Sequence, residues 1–535
     1  MQTPLNASAS TAGALLSGST FDVPQFQREY SWGVDEVTEF WQDLRNSLDA
    51  ASYFLGLVIL TEDGQRKHVV DGQQRLITLS LLATAIYHEA MRRDRKALAD
   101  RIQADFLRSI DYDTDSTDPR VKLSDITDDT TFQTILETGS PPFFSDPDSV
   151  SAKMAASFDY LRHQLVKDLA VDPFKRLGKW TDFLTNKLYF AVFVHPDASS
   201  AYQVYEVINT RGKELTTADL LKNYVLSQTP PAERGQRYQE WRSLARQFPA
   251  EGTNNFVQYI RHVVTVHSGH ILPKDLFAFL AQRMDSSAKK PPNALELMGL
   301  LHSSLPLYLQ MIDQTQPGPA NPEQLRIFSA LNSLGVIAVR PILLAVADLP
   351  DAAEGMRFIL QLVVRRIVVG NLGTGNVERR FGEAAKRVRD QRDWRSLKAE
   401  LADLNPARED FVGQLKKRSF NKNLLGFIRR SVIQGTMTPE REGVLYFVWT
   451  KQAPIGSMGE DEGSFWASTI GNTFLSHLER RPGDIESWED FKGMMLPSAV
   501  GGEAVTEIQK LGDWNGANVE SLGASLAERA GEIWY

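Results

Sequence analysis

The chain has 535 residues, too many for one ordinary hydrophobic core, so two to four domains are expected. Hydrophobic residues make up 42% of the sequence and charged residues 24%, which excludes an intrinsically disordered chain. A formal net charge of −8 argues against general adhesion to nucleic acid, although a local basic face could still bind it, and the absence of cysteine excludes disulfides and thiolate metal sites.

The start of the chain lacks the pattern of a signal peptide, and no apolar run approaches the length of a membrane span. We therefore expect a soluble, cytoplasmic protein. In chain order, the pattern of the first section predicts an α/β arrangement. It consists of an extended segment at 21–26, a helix at 34–48, a hairpin of strands at 53–60 and 66–70, and a second helix from Gly72 onward.

The stretch VVDGQQRLITLSLL (69–82) places five polar residues before a helix whose leucines form an apolar stripe. Gly72, Gln73, Gln74 and Arg75 would surround a helix N-terminus, which together with a forked guanidinium makes an anion site. Asp71 would repel a phosphate unless Mg²⁺ lies between them. The alternative is that Asp71 caps the helix and pairs with Arg75.

A second polar cluster, VPQFQREYSW (23–32), follows the first extended segment. Arg28 lies among aromatic residues, including Tyr30 and Trp32, and this pattern suits stacking on a base with phosphate contact. An arginine that covers an aromatic surface fits the same letters. Further along, the acidic stretch at 111–118 has the composition of a solvated turn rather than of a metal site.

From residue 151 the pattern is mainly helical, interrupted by a strand-like run at 188–196. In VYEVINTRGKELTTADLLKNYVL (204–226), a tight turn carries Asn209 and Arg211, and a following helix, capped by Thr216 or Thr217, carries Lys222. This helical hairpin is either solvated or a source of phosphate contacts.

Taken together, these three stretches resemble the N-terminal domain of GmrSD-type modification-dependent restriction enzymes and of the related phosphorothioate-sensing SspE proteins. The resemblance covers about 15–230 and implies a ParB/sulfiredoxin-like fold that binds nucleoside triphosphates in antiphage defence. It assigns Asp71, Gly72, Gln73, Gln74 and Arg75 to the DGQQR motif, Gln27 and Arg28 to a QR pair, and Asn209 with Arg211 to an N-x-R-G turn.

Many relatives continue into an HNH-type nuclease domain. Here 468–496 resembles its latter half, with Asn472 in the "GN" position, and 513–535 resembles the closing helix. The general-base histidine is missing between His302 and His477, so the nuclease site is expected to be degenerate. His477 could replace it only by rearrangement, and His270 is interpreted as a structural residue.

Two basic stretches, 377–398 and 415–430, could follow a phosphate backbone. A solvated face paired with neighbouring acids is the alternative. The candidate DNA-binding residues are Arg379, Arg380, Lys386, Arg389, Lys416, Lys417 and Arg418.

The sequence thus predicts an α+β protein, mainly α, with a ParB-like nucleotide-binding domain at 1–235, a helical domain at 236–410 and an HNH-like domain at 411–535. We expect an NTP-binding and NTP-hydrolysing defence protein that couples nucleotide to DNA sensing. The expected catalytic residues are Asp71, Gln74 and Arg75, and Asp71 would also hold Mg²⁺. The expected partners are a nucleoside triphosphate and DNA. Whether the protein forms a homo-oligomer or binds a partner subunit is left open. The rival hypotheses are an active Mg²⁺-dependent HNH nuclease and a non-catalytic nucleotide-switched binding module.

Overall fold

The computed structural model is 62% helical with a smaller share of sheet, which confirms the predicted α+β class, mainly α. It describes residues 6–24, 29–63, 66–111, 113–147, 149–195, 216–248, 253–282, 289–370, 374–483, 485–501 and 507–535. The chain divides into two compact units, Met1–Trp241 and Arg242–Tyr535. The division into three domains stays a prediction.

The first unit is built on a six-stranded sheet in the order β1-β8-β3-β4-β2-β7. Its strands are β1 (Asn6–Thr11), β2 (Phe21–Val23), β3 (Tyr53–Asp63), β4 (Arg66–Asp71), β7 (Val121–Leu123) and β8 (Leu188–His195), and a separate pair is formed by β5 (Arg108–Ile110) and β6 (Thr117–Pro119). The helices are α1 (Ala12–Ser17), α2 (Val34–Ser47), α3 (Gln73–Arg92), α4 (Lys96–Ile102), α5 (Ile126–Thr138), α6 (Val150–Asp168), α7 (Pro173–Asp182), α8 (Thr217–Ser227) and α9 (Arg234–Ala245).

The predicted hairpin and the helix after it are confirmed. β3 and β4 pair antiparallel, and α3 begins directly after β4. The leucine stripe of α3 is fully buried, with Leu76, Leu79 and Leu82 at 0% exposure. Because a helix buried on this scale is held by its apolar face, α3 forms the centre of the core of this unit.

The acidic stretch at 111–118 forms a turn between β5 and β6, as its composition indicates. The Asp111 carboxylate accepts hydrogen bonds from the backbone N–H groups of Asp113 at 2.9 Å and Thr114 at 3.1 Å. These bonds to the local backbone are typical of an Asx turn.

The second unit is mostly helical. Its helices are α10 (Thr253–Ser268), α11 (Leu276–Leu280), α12 (Ala294–Ile312), α13 (Pro322–Ser333), α14 (Arg340–Ala347), α15 (Ala352–Val369), α16 (Thr374–Gln391), α17 (Ser396–Glu400), α18 (Arg408–Lys417), α19 (Lys422–Gln434), α20 (Glu460–Trp466), α21 (Trp488–Met495) and α22 (Gly516–Trp534). A short antiparallel pair is formed by β9 (Val444–Phe447) and β10 (Thr473–Ser476). Within the described part of the chain, no helix is long and apolar enough to cross a membrane.

Candidate functional site

Two of the polar clusters meet at one edge of the sheet in the first unit. β2 and β4 are parallel neighbours, with Phe21 opposite Lys67 and Asp22 opposite His68. Because the carboxyl ends of parallel strands lie at the same edge, the chain leaves β2 beside the point where β4 leads into α3. Ligands of α/β sheets commonly bind outside the carboxyl ends of strands, so this edge is the candidate site.

Gly72 is the residue on which the start of α3 depends. It occupies the N-cap position with φ of 93° and ψ of 3°, a left-handed conformation that favours glycine. A Cβ atom there would lie 2.9 Å from Val58 Cγ2 and 3.1 Å from the Leu57 carbonyl oxygen. The glycine is therefore required by close packing against β3, rather than by a ligand's approach from that side.

The alternative in which Asp71 caps α3 is wrong, because the N-cap is Gly72 and no side chain caps the first turn. Asp71 is the last residue of β4 and lies opposite Ile59. Burial raises the pKa of its carboxyl group, while the Gly72 backbone N–H and the nearby positive charge of Arg75 act to lower it. Burial therefore favours the neutral acid, whereas positive charge close to the carboxyl group favours its ionised form.

Arg75 reaches back from the first turn of α3 to β3. Its Nη1 donates to the Leu57 carbonyl at 2.8 Å, and the guanidinium lies against Gly56, where an added Cβ would come within 3.1 Å of Cζ. Gly56 also has φ of 133° and lies at an irregularity in the pairing of β3 with β8. Gly56 is a site residue that is absent from the sequence predictions, although a glycine inside a strand pattern signals close approach by another group.

Gln74 holds the segment after β2 against α3. Its Oε1 accepts hydrogen bonds from the N–H groups of Ser31 at 2.9 Å and Trp32 at 3.4 Å, and its Nε2 donates to the Glu29 carbonyl at 3.1 Å. Both polar atoms of the amide are thus used by backbone groups. Oε1 uses both of its acceptor positions and Nε2 uses one of its two N–H donors, and the role of Gln74 in orienting a water molecule stays a prediction. Gln73, beside it, is buried.

Tyr30 does not face a ligand, which corrects its assignment to base stacking. It is 3% exposed, and its hydroxyl bonds with Thr78 Oγ1 at 2.9 Å and Ser157 Oγ at 3.1 Å. Burial raises the pKa of Tyr30 to about 12. Trp32 is half-buried and lies 5.7 Å from Phe40, measured between ring centroids. Both rings contribute to packing in this structure.

Glu29 connects the same segment to α9. The Tyr238 hydroxyl donates to Glu29 Oε1 at 2.8 Å, and Tyr238 is 4% exposed. A small cavity lies between these two residues and the carboxyl ends of β2 and β7, and its lining includes Asp125 and Asp128. Local sequence patterns do not reveal this connection, because it joins residues that are distant in the chain.

Four of the predicted nucleotide ligands, Gln27, Arg28, Asn209 and Arg211, lie outside the described residues. Lys222 lies on α8, is buried, and places its Nζ 3.7 Å from Asp219 Oδ1. Asp219 also forms a capping box with Thr216, as the sequence predicts. These assignments to nucleotide binding stay predictions.

The predicted nuclease residue Asn472 has a structural role in the second unit. It is 0% exposed, its Oδ1 accepts from the backbone N–H of Trp449 at 2.9 Å and from the Trp514 Nε1 at 3.2 Å, and its Nδ2 donates to the carbonyl groups of Trp449 and Ala467 at 2.9 Å each. These partners saturate the amide. The side chain therefore joins three segments and is not exposed to a substrate.

His477 follows β10 and is exposed, with its Nε2 3.8 Å from Glu442 Oε1. Among the residues that the structure describes, no group of three histidine, aspartate or glutamate side chains is arranged to hold a metal ion. His270 is half-buried in a loop where its backbone N–H donates to Glu383 at 3.2 Å, which agrees with a structural role.

Most cations of the predicted DNA-binding stretches have acidic or backbone partners. Arg380 binds Asp403 at 2.8 Å, Lys386 and Arg389 both bind Asp390, and Arg418 Nη1 donates to the Val368 carbonyl at 3.1 Å. Arg379 and Lys417 are exposed, and Lys416 is half-buried. The pairing on α16 favours the interpretation of a solvated face, and DNA contact by these residues stays a prediction.

Comparison with known proteins identifies one domain. Residues 12–226 match the family model described as "GmrSD restriction endonuclease, N-terminal domain". The matched range contains every strand of the six-stranded sheet except β1, together with the start of α3 and the segment after β2. No curated protein matches the chain.

Proposed function

We propose that residues 12–226, which match the family model of the GmrSD restriction endonuclease N-terminal domain, bind and hydrolyse a nucleoside triphosphate at the start of α3. The domain indicates a restriction-type phage-defence protein, a class that acts on DNA. Nucleotide turnover would couple this site to DNA sensing. The C-terminal part would contribute to holding DNA rather than to cutting it.

The observation that carries the proposal is the uncapped start of a 20-residue helix beside a half-buried acid, Asp71, and a half-buried arginine, Arg75. Backbone N–H groups at such a helix start bind phosphate oxygens, and the helix dipole adds to the attraction. Arg75 uses one nitrogen on Leu57 and has further donors in its guanidinium group. It would neutralise phosphate together with Arg28 of the QR pair.

Asp71 would hold Mg²⁺ between its carboxylate and the phosphates. Proteins commonly bind Mg²⁺ through one or two carboxylates, with substrate phosphates and water completing the octahedron. The Asp71 carboxylate at the end of β4 fits that pattern. When bound, the ion would neutralise charge on the phosphates, and it would also offset the free-energy cost of partly burying the Asp71 carboxylate.

Gln74 would position the site rather than take part in the chemistry. Its bonds to the backbone of Glu29, Ser31 and Trp32 fix the segment directly after the QR pair against the first turn of α3. A residue that holds this segment against the helix start would influence nucleotide affinity as well as turnover.

Phosphate release tests the proposal. The full chain is incubated with each of the four NTPs and Mg²⁺, with and without modified or unmodified DNA, and the variant Asp71→Asn is compared with Asp159→Asn, which alters an exposed acid on α6. We expect turnover by the wild type and by Asp159→Asn, and its loss in Asp71→Asn. Tight NTP binding without phosphate release by the wild type would contradict hydrolysis and support the switch hypothesis.

A further inference from the structure

The C-terminal end of α3 carries an exposed basic surface that the nucleotide site does not use. Arg95 follows α3 and is followed by Lys96, while Phe174 and Lys175 lie on α7. The Arg95 Nη1 donates to the Phe174 carbonyl at 2.6 Å, and Arg95 Cζ lies 3.6 Å from the centroid of the Phe174 ring. These contacts bring the two lysines onto one surface.

The end of α6 adds a third lysine to this surface. Arg176 donates to the Asp168 carboxylate at 2.8 and 3.1 Å, so Lys167, which precedes Asp168, lies close to α7. We use the name basic ridge for Arg95, Lys96, Lys167, Phe174 and Lys175.

Over the described ranges, the lysines of the basic ridge are not engaged in ion pairs. In the described chain, none of Lys96, Lys167 and Lys175 has a carboxylate within salt-bridge distance. Two buried carboxylates nearby, Glu89 and Asp168, are each bound by two arginines. Since one carboxylate neutralises one guanidinium, each of these clusters retains a positive charge.

Exposed apolar side chains lie beside these cations. Phe174 is 68% exposed, Val171 82% and Met91 46%. Large apolar groups that remain exposed next to uncompensated charge often mark a binding surface. Acids near this surface include Asp94, Asp172, whose carboxylate caps α7, and Asp49, which binds Lys179 of α7 at 2.6 Å.

We propose that the basic ridge binds the phosphate backbone of duplex DNA. Lysines on flexible stems can each contact a phosphate, and the exposed Phe174 and Val171 suit contact with sugars or with a groove wall. Arg380, Lys386 and Arg389 on α16 are occupied by acids, whereas the ridge lysines have none. The alternative ligand of the ridge is an acidic protein, and the experiment below distinguishes it from duplex DNA.

The ridge would place DNA at the opposite end of α3 from Gly72. Twenty residues at a rise of about 1.5 Å span about 30 Å, so the two sites do not overlap. The inference rests on DNA as the partner in the proposed function and does not require nucleotide turnover. A chain that released no phosphate could still bind DNA through this surface. Failure of nucleotide hydrolysis can therefore be distinguished from failure of DNA binding by the ridge.

Fluorescence anisotropy with a labelled duplex of about 20 base pairs tests the proposal at several salt concentrations. The full-length double variant Lys96→Glu/Lys175→Glu is compared with Lys274→Glu/Lys510→Glu, which makes the same change of charge at exposed lysines of the second unit. Circular dichroism checks that both variants are folded. The single variant Lys167→Glu is measured in parallel.

We expect the ridge double variant to lose affinity at least about tenfold at low salt, because charge reversal replaces attraction by repulsion. Loss of two phosphate contacts should also make the slope of log affinity against log salt less negative by about 2. The control variant should keep the wild-type slope. Equal affinities and slopes for the two double variants would overturn the proposal and favour the protein partner, as would failure of the wild type to bind DNA.

Discussion

Replacing Gln74 by methionine tests whether this side chain holds the site together. Methionine keeps the length and approximate volume of glutamine but removes the acceptor for Ser31 and Trp32 and the donor to Glu29. Two of the lost hydrogen bonds have good geometry, at 2.9 and 3.1 Å, and the third is long at 3.4 Å. At about 0.5–1.5 kcal/mol for each bond, the free energy of unfolding of the first unit should fall by about 2 kcal/mol.

For a unit of this size, such a loss corresponds to a midpoint lowered by roughly 4–8 °C. Differential scanning calorimetry measures that shift, and hydrogen exchange should show faster exchange at the N–H groups of Ser31 and Trp32. Tyr30→Phe is the matched comparison, since it removes hydroxyl bonds to Thr78 and Ser157 from the same segment. An unchanged midpoint and unchanged exchange, with turnover lost, would refute the positioning role and restore Gln74 as a group that acts on the water.

Three further substitutions test other parts of the structure. Gly72→Ala should cost about 2–4 kcal/mol in chemical denaturation, because it strains a positive φ and crowds Val58; a cost below about 1 kcal/mol would contradict that packing. Asp71→Asn should raise the thermal midpoint more at pH 7 than at pH 4. Because burial raises the Asp71 pKa in the folded state, the wild type loses stability as the pH rises from the pKa of the unfolded state to that of the folded state. A gain in midpoint that is the same at both pH values would refute this reasoning. Asn472→Leu should destabilise the second unit by at least about 3 kcal/mol in calorimetry, because buried backbone groups lose their partners; a neutral effect would contradict the structural role.

Local patterns in the sequence predict the hairpin, the start of α3 and the capping box on α8. Each depends on residues that are close in the chain, such as the leucines at 76, 79 and 82 or the pair Thr216 and Asp219. Periodicity and turn chemistry are therefore sufficient for them.

Long-range pairing is what the sequence does not reveal. β1, with the letters NASAST, alternates alanine with polar residues but has no large apolar residue, yet it pairs with β8 from Asn6 opposite Val194 to Thr11 opposite Tyr189. The position of β1 in the sheet is set by its pairing with β8, which lies more than 170 residues later in the chain. No local propensity carries that information.

The composition of the candidate site is predicted better than the direction of its side chains. The letters DGQQR indicate a polar helix start, but they do not say that Gln74 turns to the backbone at 29–32 or that Tyr30 turns into the core. Those directions follow from the packing of α3 against α6 and β2, through contacts such as Tyr30 with Ser157. The same limit applies to Asn472, where a motif position is occupied by a buried structural amide.

Equilibrium binding of a fluorescent nucleoside triphosphate to the full chain tests most directly whether nucleotide binds at the start of α3. Arg75→Met removes the guanidinium next to that helix start, and Arg101→Met removes an exposed arginine on α4 as the control. A charge-assisted hydrogen bond to phosphate contributes about 1.5–3 kcal/mol, so Arg75→Met should weaken binding by about 10- to 100-fold. The control should retain the wild-type affinity. Wild-type affinity in Arg75→Met would contradict the placement of nucleotide at the α3 N-terminus.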